Sequence, residues 1–502
     1  MPSTRRSDPS GRSSGTVRRM TSPSTETIPL PREPGVGPPF AIRSRDTLFI
    51  VLLAALLASL GAVPMADHTT HRVLEMVRPI PWSQALLPFW NPPPMEAWAI
   101  RPGSVIFIKA LLTTGQISGI PQPPLLAFCA FCGLSLFGLA ARAWLCATGL
   151  RVVALPATLS CMLLSPTLFS AWLLVEFDTL GAGLVLAGST LLLQRGPLGW
   201  RSLAAVLCVL MALLLKESTA LVQFAFLIAG GALLELNHRT ERARRHWLIL
   251  AVGVLIWSVL VTLTLEDKGS LVGRSSWSSR IPILEHNQAQ IVYLATIPGC
   301  ALIGLRCLNR WIRSDSIRDL TPWLAVIGLA ALPPVIYYSH YEAVYFSPRW
   351  VPASLGLLVL LSLIDGLFQR GKNALERLPQ AVVLLALLIF GGAILFASNP
   401  REDLASRLFL ALTPTLHGIA WLTLRQLWSS AGRTLWKQAP VAILGLSMAW
   451  TPLASTWNTT LQWRSQQAVD YSARKALVAQ DLGDSKLIFN QRQRINCCFF
   501  YK

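Results

Sequence analysis

Charge is scarce in this sequence. Only 14% of its 502 residues are Asp, Glu, Lys or Arg, where an ordinary soluble domain carries about 25%. The shortfall is concentrated in recurring uncharged runs of about 18 residues, long enough to cross a hydrocarbon core. Those runs exclude a soluble enzyme. Acid is scarcer than base: 25 Asp and Glu against 44 Lys and Arg give a net charge of +19. In a soluble protein such a surplus would point to nucleic acid. Here no Arg-rich helix with interleaved aromatics supports that partner, and Lys and Arg accumulate in cytoplasmic loops because such loops resist translocation and suit anionic lipids.

Metal-binding patterns are missing as well. Cys129, Cys132, Cys146, Cys161, Cys208, Cys300 and Cys307 lie in or beside apolar runs and read as small buried hydrophobes. Cys129 and Cys132 form a C-x-x-C without a second pair or a His cluster. Cys497 and Cys498 are adjacent, too strained for an ordinary disulfide with each other. His68, His71, His286 and His340 show no ligand spacing, so no metal site is assigned.

What is present is a long succession of apolar segments. Residues 1–45 carry eight Arg against Asp8, Glu26 and Glu33, are rich in Ser and Pro, and read as a disordered basic cytoplasmic tail. The run "TLFIVLLAALLASLGAVPM", 47–65, reads as a retained helix rather than a cleaved signal. Twelve further runs, from 124–141 to 439–455, bring the expected number of spans to thirteen. With the N-terminus cytoplasmic, this arrangement places 26 of the 44 Lys and Arg inside. The stretch 202–235 is expected to form two short helices meeting at Lys216 and Glu217, because a single helix would run about 51 Å against a core of about 30 Å. The expected fold is therefore an all-α polytopic membrane bundle over 46–455, with a large external loop at 66–123 and a short external tail at 456–502.

Ionisable groups in or beside apolar spans are costly, so each is a functional candidate. In "MADHTTHRVLEMV", Asp67 follows the first span and stays close to the membrane surface. The segment "PPPMEAWAIRPGSVIFIKALL" brings Glu96, Arg101 and Lys109 into an apolar, interfacial stretch. Lys109 can snorkel. Arg101, preceding Pro102, is extended, and its guanidinium can reach a phosphate or carboxylate as a bidentate donor. "SAWLLVEFDTLGAGLVLAG" puts Glu176 and Asp178 at the outer start of the fourth span, where Asp178 also suits the positive end of a helix. Lys216 and Glu217 join "SHYEAVYFSPRWVPASLGLLVLL", with His340, Glu342, Tyr345 and Arg349, on the same face. Carboxylates for proton abstraction and cations for a bound or departing anion suit lipid-phosphate chemistry.

The order of these segments resembles the GT-C superfamily of integral membrane glycosyltransferases, which includes the protein O-mannosyltransferases and the lipid A aminoarabinose transferase. "ADHTTHRVLEMV" is similar to the family's acidic pair after helix one, "AIRPGSVIFIKALL" to its Arg-Pro segment, and "EFDTLGAGLVLAGSTLLLQRG" to its Asp-containing fourth helix. "VLMALLLKESTALV" is similar to its Leu-rich helix ending in Lys, and "AVYFSPRWVPASLGLLVLL" to its Arg-aromatic motif. The likeness extends over about 47–370. Three features depart from the family's pattern: Asp67-His68 stands for two carboxylates, Arg349-Trp350 for Arg with Tyr or Phe, and little of the family's C-terminal soluble domain is expected.

The resemblance implies transfer, with inversion, of a sugar from a polyprenyl-phosphate donor to an acceptor hydroxyl on the external face of a bacterial inner membrane. Asp67 would be the general base, Lys216 and Arg349 would bind the lipid phosphate with Arg101 as a further donor, and Glu176 and Asp178 would shape the acceptor or metal-adjacent side of the cavity. Glu342 joins the binding set from its place on the same face. The resemblance fixes no cofactor and leaves room for a divalent cation. Expected partners are the sugar lipid, membrane lipids and an acceptor the sequence does not identify. Two other classes compete: a secondary transporter or flippase, with its charges near the bilayer midplane, and a noncatalytic membrane assembly protein.

Overall fold

The computed structural model describes residues 44–62, 68–86, 101–172, 177–194, 199–265 and 410–430, with scattered positions over 383–391 and 435–468. Among the described residues the chain forms helices and turns and no strand. The expected runs at 288–305, 322–338 and 350–368 lie outside the described residues, as does the basic tail up to residue 43.

The helices are α1 (Ser44–Gly61), α2 (His68–Val77), α3 (Trp82–Leu86), α4 (Pro102–Ser118), α5 (Gln122–Ala147), α6 (Ala154–Met162), α7 (Ser165–Trp172), α8 (Asp178–Leu193), α9 (Trp200–Leu215), α10 (Glu217–Leu236), α11 (Thr240–Leu265) and α12 (Thr413–Ser430). Their limits follow local chemistry. Pro102 opens α4, where a missing N–H costs nothing, and Gly119 closes it with a left-handed φ of 66°. The apolar run expected as one span over 152–170 is instead a 3₁₀ turn followed by α6 and α7. Pro166, in the first turn of α7, explains the interruption: without an N–H it cannot donate to the turn that ends α6, so α6 cannot continue through it. The stretch 202–235 does divide in two, at Lys216, whose φ of −159° and ψ of 143° are extended.

Segments Pro123–Ala147 and Ser218–Leu236 are long and apolar enough to cross a membrane. α8 and α9, with 16 residues each, are about 24 Å long.

α8 is the hub of the described bundle, and small residues make it so. A Cβ on Gly183 would lie 3.0 Å from the backbone nitrogen of Phe137 on α5, and one on Gly188 would lie 3.1 Å from Val209 on α9. One on Gly181 would lie 2.7 Å from the Thr219 hydroxyl on α10. Backbones approach this closely only where side chains are absent, a common device among membrane helices. The main core joins α1, α5, α6, α7, α8 and α10 around Phe137, Trp144, Met162 and Phe226. A second cluster packs α2 to α4 against Phe177 and Leu215.

The bundle has two distinct ends. Asp46 at the start of α1 pairs with Arg142 near the close of α5. At the far end of α1, the carbonyl of Leu57 accepts from Trp172 of α7 and that of Gly61 from Trp463. Thr179 at the start of α8 bonds through its backbone N–H to Ser170 and through its hydroxyl to the Thr167 carbonyl, both on α7. The second end therefore also holds the start of α8 and, through Lys216, the junction of α9 with α10.

Candidate functional site

The start of α8 carries the site. Asp178 is its first residue, placed where the helix dipole favours a negative charge. Phe177 precedes it with φ of 54°, a left-handed conformation that costs a bulky residue roughly 1–3 kcal/mol. Phe107 of α4 holds the Phe177 ring edge-on at 5.4 Å between centroids. Packing thus maintains a strained turn directly before the carboxylate.

Across from it, the helix break between α9 and α10 presents Lys216. Its Nζ donates to Asp178 Oδ1 at 2.9 Å and to Oδ2 at 3.0 Å. Asp178 is 4% exposed and Lys216 5%. Burying either charge alone would be prohibitive, so each is the condition for the other's burial. The break itself is held from a third direction. The Ser104 hydroxyl donates to the carbonyl of Leu215, and a Cβ on Gly103 would meet the Leu214 carbonyl oxygen at 3.0 Å. The first turn of α4, immediately after Arg101, is therefore seated against the residues that precede Lys216.

Three segments distant in sequence, around Arg101, Asp178 and Lys216, meet at one end of the bundle. Arg101 is half-buried there. Asp67, Glu176, Glu342 and Arg349 lie outside the described residues. Beside the ion pair is a small cleft lined by Asp178, Ser218 and Thr219 with Ala182, Val222 and Leu410. It is small, with room for about one water-sized group. Among the described residues no three His, Cys, Asp or Glu side chains converge as a metal site would require.

Some contributors escaped the sequence reading. Ser104 and Gly103 carry no charge, although two small residues after Arg-Pro do signal a close backbone approach. Phe177 gave no signal, because its φ depends on what surrounds it. Arg142 looked like one more cytoplasmic loop cation, yet it is 9% exposed and bonded to Asp46. No known protein family, curated protein or solved structure matches the chain.

Proposed function

We propose that the protein is a polytopic membrane glycosyltransferase of the GT-C kind, moving a sugar from a polyprenyl-phosphate donor to an acceptor hydroxyl on the external face of a bacterial inner membrane. In this reading the whole chain forms about thirteen spans. Support for the membrane comes from the inverted polarity of the bundle. Leu48, Leu52 and Leu56 on α1 are each more than half exposed, as are Leu203 and Leu207 on α9 and Leu248 and Leu255 on α11. Inside, Ser189 and Gln223 are paired at 3.2 Å and the Asp178–Lys216 pair is buried. A water-soluble bundle would place polar side chains on its outer faces.

The observation that carries the reading is the buried Asp178–Lys216 pair, set at a helix junction against the turn that follows Arg101. Asp178 holds the Lys216 side chain in a fixed, buried position, and in such a low-dielectric place a cation acts strongly on a developing negative charge. The acceptor oxygen attacks the anomeric carbon, the bond from that carbon to the phosphate oxygen breaks, and Asp67 takes the acceptor's proton. The departing polyprenyl phosphate is stabilised by Lys216, Arg101 and Arg349, while Glu176 and Glu342 complete the polar wall.

The test is transfer by the full chain in vesicles holding polyprenyl-phosphate sugars and mixed acceptors. Asp67→Asn should lower turnover by about 100-fold or more, as expected for loss of a general base. Equal turnover by wild type and Asp67→Asn would remove that residue from the mechanism. Absence of transfer from every donor would overturn the proposal.

A further inference from the structure

The end of the bundle opposite the ion pair has its own chemistry. α9 begins there with Trp200, which is 73% exposed and lies 5.7 Å from the Arg201 guanidinium, centroid to carbon. α11 begins there with Arg242, Arg244 and Arg245, and Arg239 closes the turn before it. The nearby acids are engaged: Glu235 accepts from Trp247 at 2.7 Å, Glu241 pairs with Arg244 at 3.3 Å, and Asp46 pairs with Arg142. The Glu241–Arg244 contact is so open, with both side chains more than three-quarters exposed, that an incoming anion competes with it easily.

The apolar stripes start where these cations end. Trp200, Leu203 and Leu207 recur at helical spacing along one exposed face of α9. On α11, Arg244 is followed on the same face by Leu248, Val252 and Leu255, also exposed. An indole and guanidinium groups at the rim of an apolar face match the boundary between headgroups and acyl chains. From this we infer that the surface formed by α9 and the start of α11 binds an anionic phospholipid. Arg201, Arg244 and Arg245 take its phosphate, Trp200 lies among the headgroups, and the acyl chains cover the Leu203 and Leu248 stripes. The excess of cations selects a net negative lipid over a zwitterionic one. This inference rests on the membrane reading above and not on the transferase.

The full chain would be placed in vesicles of equal parts phosphatidylcholine and phosphatidylglycerol, extracted gently, and its retained lipid measured by mass spectrometry. Wild type should retain phosphatidylglycerol at about ten times its bulk ratio or more, tenfold being the floor for three surface cations. Combining Arg201→Gln, Arg244→Gln and Arg245→Gln should return the ratio to that of the bulk, with an unchanged unfolding midpoint. Arg78→Gln with Lys109→Gln, changes made in the α2–α4 module, should keep the enrichment. Equal enrichment in the triple variant, or its equal loss in the Arg78 and Lys109 variant, would overturn the lipid site. Failure of the chain to enter vesicles of either lipid would overturn the membrane reading as well.

Discussion

Two ion pairs anchor opposite ends of the same bundle, and they differ in what surrounds them. Asp46–Arg142 joins two neighbouring helices, α1 and α5, with the Asp46 side chain 22% exposed. Asp178–Lys216 is deeper, joins a helix start to a break between two helices, and draws in a third element through Ser104. The first is a strap between helices that would adjoin without it. The second exists only because a strained Phe177, a helix break and the seated turn of α4 coincide, and that concentration of costly features is what functional sites display.

The comparison can be broken at its deepest point. Lys216→Met leaves the Asp178 carboxylate buried without its cation and should cost about 3–5 kcal/mol, while adding Asp178→Leu should restore part of the loss. Chaotrope unfolding of the detergent-solubilised chain checks this. A double variant no more stable than Lys216→Met would show that the pair is not energetically closed on itself.

Next in size is the packing that brings α8 to α10. Gly181→Ala places a methyl against the Thr219 side chain at 2.7 Å and should cost about 1–3 kcal/mol. Combining it with Thr219→Ser, which removes a methyl from the partner, should recover some of that. The contrast between the two ends then predicts that Asp46→Asn costs less than Lys216→Met, about 1–2 kcal/mol, because water reaches the acid and an amide oxygen still accepts from Arg142. Under the proposed transferase activity, turnover by Asp46→Asn should stay at the wild-type level once the chain is folded. An equal loss of turnover at both ends would abolish the distinction drawn here.

The smallest effect is expected at Ser104. Ser104→Ala removes one hydrogen bond to the Leu215 carbonyl and should cost about 1 kcal/mol. Its informative consequence is on Lys216, whose labelling by a small acylating reagent should rise while that of Lys109 stays constant. Ser160→Ala, which removes a comparable bond from Trp421 at 3.1 Å, should leave Lys216 protected.

Much of this was legible along the chain. The break at Lys216 could be read from length, since two apolar stretches joined by charged residues exceed one hydrocarbon core. The candidacy of Asp178 could be read from the cost of a carboxylate beside an apolar run. The partition of 152–170 was less visible, because apolar content is the same for one span or two short helices and only Pro166 marked the difference. Nothing in the residue order pairs Asp178 with Lys216, which are 38 positions apart, or Asp46 with Arg142, 96 apart.

The sequence by itself determined that this is an apolar helical protein, that the stretch 202–235 breaks at Lys216, and which charges are too expensive to be incidental. Those properties follow from the local free energy of placing each residue type, which composition and spacing express directly. Tertiary structure alone decided which charge neutralises which, that Phe177 adopts a left-handed backbone, and that the first turn of α4 seats against Leu214 and Leu215. Such choices depend on close approach between remote segments, and close approach here was set by glycines and small side chains that carry almost no signal of their own.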